Sequence, residues 1–157
     1  MFYKKAQREI FNAMLSENTR AGKFALENGK ILITINGTVG WAFPESVLQI
    51  NAEKLRDIPA LNTDGFISKE NELEQTIDFV LADQRSKTLV QRYRKGKTSV
   101  FINPKLLQHF QNPTLYQKDA PLGVIVVTEQ YRNGTNEIVG VVCPVRDRWS
   151  ERYADYF

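Results

Sequence analysis

A chain of 157 residues, 42% hydrophobic and 25% charged, has the length and composition of one globular domain, able to bury roughly two-thirds of its unfolded surface without a covalent staple. Its single cysteine, Cys143, excludes an internal disulfide, and with only one histidine beside it the usual zinc ligand sets are excluded too. The net charge of +3 is segregated: residues 84–118 carry eight bases and no acid, and residues 45–83 carry three bases and nine acids, a pattern that suits either a phosphate-bearing partner or a merely solvated strand face.

In chain order, Tyr3, Ala6, Ile10 and Met14 recur about one turn apart, Phe11 and Leu15 widen the stripe, and Lys4, Lys5, Arg8 and Asn12 fall on the back. The spacing predicts an amphipathic helix over Tyr3 to Ser16 with a basic outer face. Asn28-Gly29 and Asn36-Gly37 then separate three strand-like runs, Lys23 to Glu27, Lys30 to Ile35 and Thr38 to Phe43, which predicts a three-strand meander ended by Pro44. Val47 to Ile50 and Leu55 to Ile58 are short apolar pieces of open type, and Pro59 to Asn71 reads as a connection across the surface.

Three further strands are expected at Thr76 to Leu81, Thr88 to Tyr93 and Thr98 to Ile102, the last two joined through Lys95-Gly96. Asn103 as N-cap and Pro104 at the first helical position predict a second helix, Pro104 to Gln111, stopped by Asn112-Pro113. Its apolar side is Leu106, Leu107 and Phe110, and its solvent side Lys105, Gln108 and His109. After a polar gap, Val124 to Thr128 and Ile138 to Cys143 form a hairpin through Asn133-Gly134. Both Asn-Gly-Thr triplets match the glycosylation acceptor pattern, but with no secretory signal in view they read as hairpin turns of a cytoplasmic chain. Asp147 to Phe157 places Trp149, Tyr153 and Phe157 on one helical stripe, which either packs on its own body or docks into a partner's groove.

Residues for catalysis are sparse. A nucleophilic triad needs a Ser or Cys beside a His base, and His109 and Cys143 stand in no such motif. The nine glycines form no Walker loop or dinucleotide fingerprint, and the Leu122 to Val142 strands lack the pyrophosphate loop of an acetyl-CoA-dependent acyltransferase. Glu70, Glu72, Glu74, Asp78 and Asp83 could hold Mg²⁺ in a nuclease, though alternate acids beside a loop also describe a solvated edge. The reading is of a non-enzymatic protein without cofactor or metal.

The run PLGVIVVTE to NEIVGVVCPVR, closing on Pro144-Val145-Arg146 after an apolar strand, resembles the end of a DNA sliding-clamp domain of the bacterial beta type, and VFINPKLLQHF resembles the strand and helix that precede it there. The resemblance covers residues 98–146, and is architectural over 1–97. It implies a single α+β clamp-like domain, 1–146, of two similar halves (about 1–58 and 72–146) with antiparallel sheets and two helices on one face, followed by the tail 147–157. It also implies helices turned towards duplex DNA, consistent with Lys4, Lys5, Arg8, Lys105, Gln108 and His109 as phosphate contacts, joined by Arg92, Arg94, Lys95 and Lys97. Clamps receive partner peptides near their C-terminal end, so Pro144, Val145, Arg146, Trp149, Tyr153 and Phe157 become partner-binding candidates for a replication protein or a second copy of the chain. With room for one such domain and eleven residues beyond Arg146, the chain fits a stand-alone accessory protein of a phage or mobile element better than a replicative ring.

Overall fold

The computed structural model describes residues 1–83 and 87–145. One α-helix, α1 (Tyr3–Leu15), buries Ala6, Ile10, Ala13 and the amide of Gln7. The meander follows as β1 (Ala21–Ala25), β2 (Ile31–Ile35) and β3 (Val39–Phe43). Between β2 and β3 both Asn36 and Gly37 take positive φ, 53° and 65°, and Thr38 donates its N–H to the Ile35 carbonyl at 3.0 Å. That is the type I′ geometry a right-twisted hairpin requires, and the reason Asn-Gly marks it in sequence.

The two short pieces after Pro44 are single 3₁₀ turns, Glu45–Val47 and Ala52–Lys54, leading into a two-residue strand β4 (Arg56–Asp57). Three antiparallel strands come next, β5 (Glu74–Asp83), β6 (Thr88–Lys95) and β7 (Thr98–Ile102), then β8 (Thr114–Gln117), β9 (Ile125–Gln130) and β10 (Asn136–Val142). A seven-stranded sheet runs β4-β1-β2-β3-β10-β9-β8, and β5-β6-β7 form a separate sheet of three. The larger sheet joins strands from the beginning and end of the chain across the β3–β10 pair, and it is mixed rather than antiparallel throughout, because β4 lies parallel to β1.

One face of the large sheet presents Ile33, Trp41, Phe43, Ile125 and Val127, covered by Ala6 and Ile10 of α1 and by Tyr93, Val100 and Ile102 of the small sheet. The other face presents Phe24, Leu32, Tyr116, Val126 and Val141 and is covered by the 58–66 connection through Leu61 and Phe66. Neighbours such as Leu32 and Ile33 thus serve opposite faces, as the pleat demands, and burying a side chain of Ile10's size contributes about 1.5–3 kcal/mol.

The expected second helix is corrected to one 3₁₀ turn, Pro104–Leu107. Its start is as the residues predict, with Asn103 Oδ1 accepting the Lys105 N–H at 3.0 Å. Continuation fails because the backbone groups are needed elsewhere. The His109 carbonyl accepts the Phe2 N–H at 2.9 Å, its α-helical partner would be Pro113, which has no N–H, and the Gln111 N–H goes to Glu129 Oε2 at 2.7 Å. Phe110 still lands on the same face as Ile10. Its ring approaches the backbone at Gly140 so closely that a Cβ there would meet it at 2.5 Å.

Strand β8 falls where only a polar gap was expected. Gln117, fully buried, donates its amide to the Gly123 carbonyl at 2.6 Å and the Pro121 carbonyl at 3.2 Å, which satisfies its nitrogen at a core position while its Oε1 is buried without a hydrogen-bond partner.

Candidate nucleic-acid interface

The outer stripe of α1 carries Lys4, Lys5 and Arg8, all exposed. None forms an ion pair among the described residues; Lys5 Nζ sits 5.0 Å from the centroid of the Phe2 ring. The helix begins without a side-chain cap and without an acid in its first turn. Two lysines there add to the positive end of the helix dipole instead of offsetting it, so the N-terminal turn of α1 is a concentration of uncompensated positive charge.

On one flank, the 3₁₀ turn brings Gln108 against α1, its amide donating to Glu9 Oε1 at 2.8 Å, with Lys105 exposed on the same turn. His109, expected to face solvent, is instead buried, with 8% of its surface exposed. Its ring lies 5.7 Å from that of Trp41 at a tilt of 53°, and Nε2 stands 2.8 Å from Glu9 Oε1, close enough for an ion pair but not aligned as a hydrogen bond. The corrected role for His109 is to seat the turn on α1 and β3.

On the other flank, Gln7 spans to the 45–54 segment, donating to the Val47 carbonyl at 2.9 Å and accepting from the Gln49 N–H at 2.7 Å. Lys23 holds the same segment through the Ala52 carbonyl at 2.6 Å. The Gln7 bridge divides a groove in two. One cavity of about 520 Å³ is floored by Phe2, Tyr3 and Val47 and rimmed by Lys4 and Lys5. A second of about 510 Å³ is floored by Phe11, Met14 and Ile50 and rimmed by Lys4, Arg8 and Lys54. Among the described residues no carboxylate lines either, although Glu45 and Glu53 lie exposed on the same segment. Tyr3 holds its proton above the ordinary value, mainly through burial and then through the Tyr131 hydroxyl, so it stands at this floor as a neutral group.

In the basic block of residues 84–118, by contrast, Arg92, Arg94 and Lys95 are engaged within the molecule. Arg92 meets Asp78 Oδ2 at 2.8 Å, and Arg94 meets Glu74 Oε2 at 2.7 Å. Lys95 Nζ reaches Asn71 Oδ1, the Gln117 carbonyl and the Lys118 carbonyl at 3.1, 2.8 and 2.9 Å. Lys97 is exposed. The same ion pairs occupy two of the acids weighed as Mg²⁺ ligands, and no cluster of three metal-ligating side chains occurs among the described residues.

Of the partner-binding candidates, Pro144 is buried and Val145 packs against Val80, Val90 and Phe101, its N–H donating to the Phe101 carbonyl at 2.8 Å. Arg146, Trp149, Tyr153 and Phe157 lie outside the described residues. Sequence reasoning missed Phe2, Lys54 and the groove itself, and placed Phe11 and Leu15 in the apolar stripe. They are 54% and 70% exposed. The available signal was the excess of apolar positions on α1, more than one buried face of 13 residues can cover. No helix among the described residues is long and apolar enough to cross a membrane. No protein-family model, characterised protein or solved structure matches the chain.

Proposed function

We propose that this is a non-catalytic, clamp-like accessory protein that binds DNA through phosphate contacts from Lys4, Lys5 and Arg8, with Lys54 and Lys105 on the flanks, and reads no sequence. The observation that carries the reading is the N-terminal half of α1, where three cations stand exposed without a carboxylate partner among the described residues and the helix dipole adds to their field. Duplex DNA lying across this stripe would meet the phosphate-binding groups of Lys4, Lys5 and Arg8. The single helix narrows the contact relative to a clamp, whose helices act in pairs.

Charge reversal at Lys4, Lys5 and Arg8 together tests it. Loss of three phosphate contacts flattens the slope of log affinity against log salt by about 2.7 and weakens every duplex alike. Unchanged affinity, or no measurable DNA binding at low salt, removes this function. A second reading, docking to another protein, is favoured by one observation: Phe79, Leu81 and Leu89 stand exposed on one face of the β5–β6 hairpin, beside Ile77 at 93% exposure. Binding through that face would be almost insensitive to salt.

A further inference from the structure

We infer that the groove between α1 and the 45–54 segment takes single-stranded nucleic acid in preference to duplex, with phosphates on Lys4, Arg8 and Lys54 and bases stacked on Phe2 and Phe11. The inference rests on the phosphate reading of α1 and adds the form of the ligand. A binding surface for duplex needs only cations, because the base faces are stacked inside the helix and unavailable to an aromatic ring. This one also holds two phenylalanines, 41% and 54% exposed, each at the floor of one cavity and each beside basic residues. Cations tracking a groove with aromatic rings at intervals are the arrangement by which single strands are held without reading sequence, since every base has a face to stack.

The geometry supports the pairing. Phe2 is fixed at the start of α1 by its own N–H, bonded to the His109 carbonyl at 2.9 Å, and Phe11 projects from the helix nine positions on, about 13 Å along the axis. Gln7 lines both cavities and bridges to the 45–54 segment between them, so an extended strand would place one base on either side of it. Charge complementarity decides among flexible occupants. The charged side chains lining both cavities are all basic, which favours a polyanion, and the aromatic floors favour planar bases over the aliphatic side chains of an acidic peptide.

Fluorescence anisotropy of the full chain tests this with three probes: a labelled oligothymidylate of about twelve nucleotides, a duplex of the same length, and a polyglutamate of matched charge. The expected result is at least about tenfold tighter binding of the single strand than of the duplex, with polyglutamate weaker still. Phe11→Ala, at an exposed helix position, lowers single-strand affinity about tenfold while leaving the salt slope unchanged, and Phe11→Trp restores it. Duplex bound as tightly as the single strand, or Phe11→Ala without effect, overturns the inference and leaves the phosphate reading standing. Polyglutamate bound as tightly as the oligonucleotide overturns it in favour of an acidic peptide. No binding of either nucleic acid removes both readings together.

Discussion

The two basic regions of this molecule differ in what surrounds them. The β5–β7 sheet holds Arg92, Arg94 and Lys95, each bonded to a carboxylate, an amide or backbone carbonyls, so its cations act as fasteners. The outer stripe of α1 holds Lys4, Lys5 and Arg8 at one end of a helix that offers them no acid in its first turn. By sequence the first region looks the stronger anion site, eight bases in 35 residues without an acid. In space, two acids of the preceding segment fold back on it through β5 and pair Arg92 and Arg94, whereas the three cations of α1 have no such partner among the described residues. Charge along a chain measures supply; only pairing shows what remains.

The largest effect expected from breaking this contrast is at Lys95. Its ammonium ties the small sheet to the Asn71 side chain and to the last residues around β8, and Lys95→Met leaves the Asn71 Oδ1 and Gln117 carbonyl contacts unmade. A loss of about 2–3 kcal/mol in urea denaturation is expected, with affinity for DNA unchanged. Were Lys95 a phosphate contact, the pattern would be reversed: stability kept, salt slope reduced.

Alkaline pH loosens the same sheet more gradually. Burial raises the Tyr93 hydroxyl above its ordinary value of 10.0. A group that holds its proton more tightly when folded contributes fully below the ordinary value and loses that contribution as pH climbs through the raised one. Lys30 is raised as well: burial pulls it down, but Glu137 Oε2 at 2.9 Å and the Tyr131 hydroxyl outweigh that, so its share too is whole below about 10.5 and lost above. Melting temperature should therefore fall on the alkaline side, and less steeply in Tyr93→Phe, which has no proton to lose. Equal slopes in the two proteins would show that ionisation of Tyr93 does not reach the seat of the small sheet.

What could be read from the residues follows the range of the forces involved. The meander, the β9–β10 hairpin and α1 were legible because their determinants are local: Asn-Gly pairs that accept positive φ, and an apolar repeat of one turn. The 3₁₀ turn at Pro104 was legible at its start, which Asn103 caps, and not at its end, which Phe2 and Glu129 decide from far away in the chain. Strand β8 was hidden because Gln117 looks like a surface residue until its carbonyl partners are known. At the candidate site, Lys4, Lys5 and Arg8 were found by periodicity alone. His109 was misplaced and Phe11 misassigned for one reason: which flank of α1 is covered depends on the 45–54 segment and the Pro104 turn, and neither announces its position in its own residues.

The smallest expected effect is the most discriminating, because it has the opposite sign in stability and in binding. Lys4 and Lys5 occupy the first turn of α1, where backbone N–H groups lack intrahelical partners and where the helix has no capping side chain. A cation there is opposed by the dipole and by its neighbour, so Lys4→Glu should stabilise the fold by about 0.3–1 kcal/mol, through a favourable charge at the N-terminus and relief of repulsion with Lys5 and Arg8. The gain should shrink as salt is added, since Lys4 is exposed and its field is screened within about 10 Å at 0.1 M. Affinity for DNA should fall in the same variant. A purely structural role for this face predicts the first change without the second. If Lys4→Glu melts lower than the parent chain, a carboxylate elsewhere already satisfies this lysine, and the contrast between spent and available cations loses its strongest member.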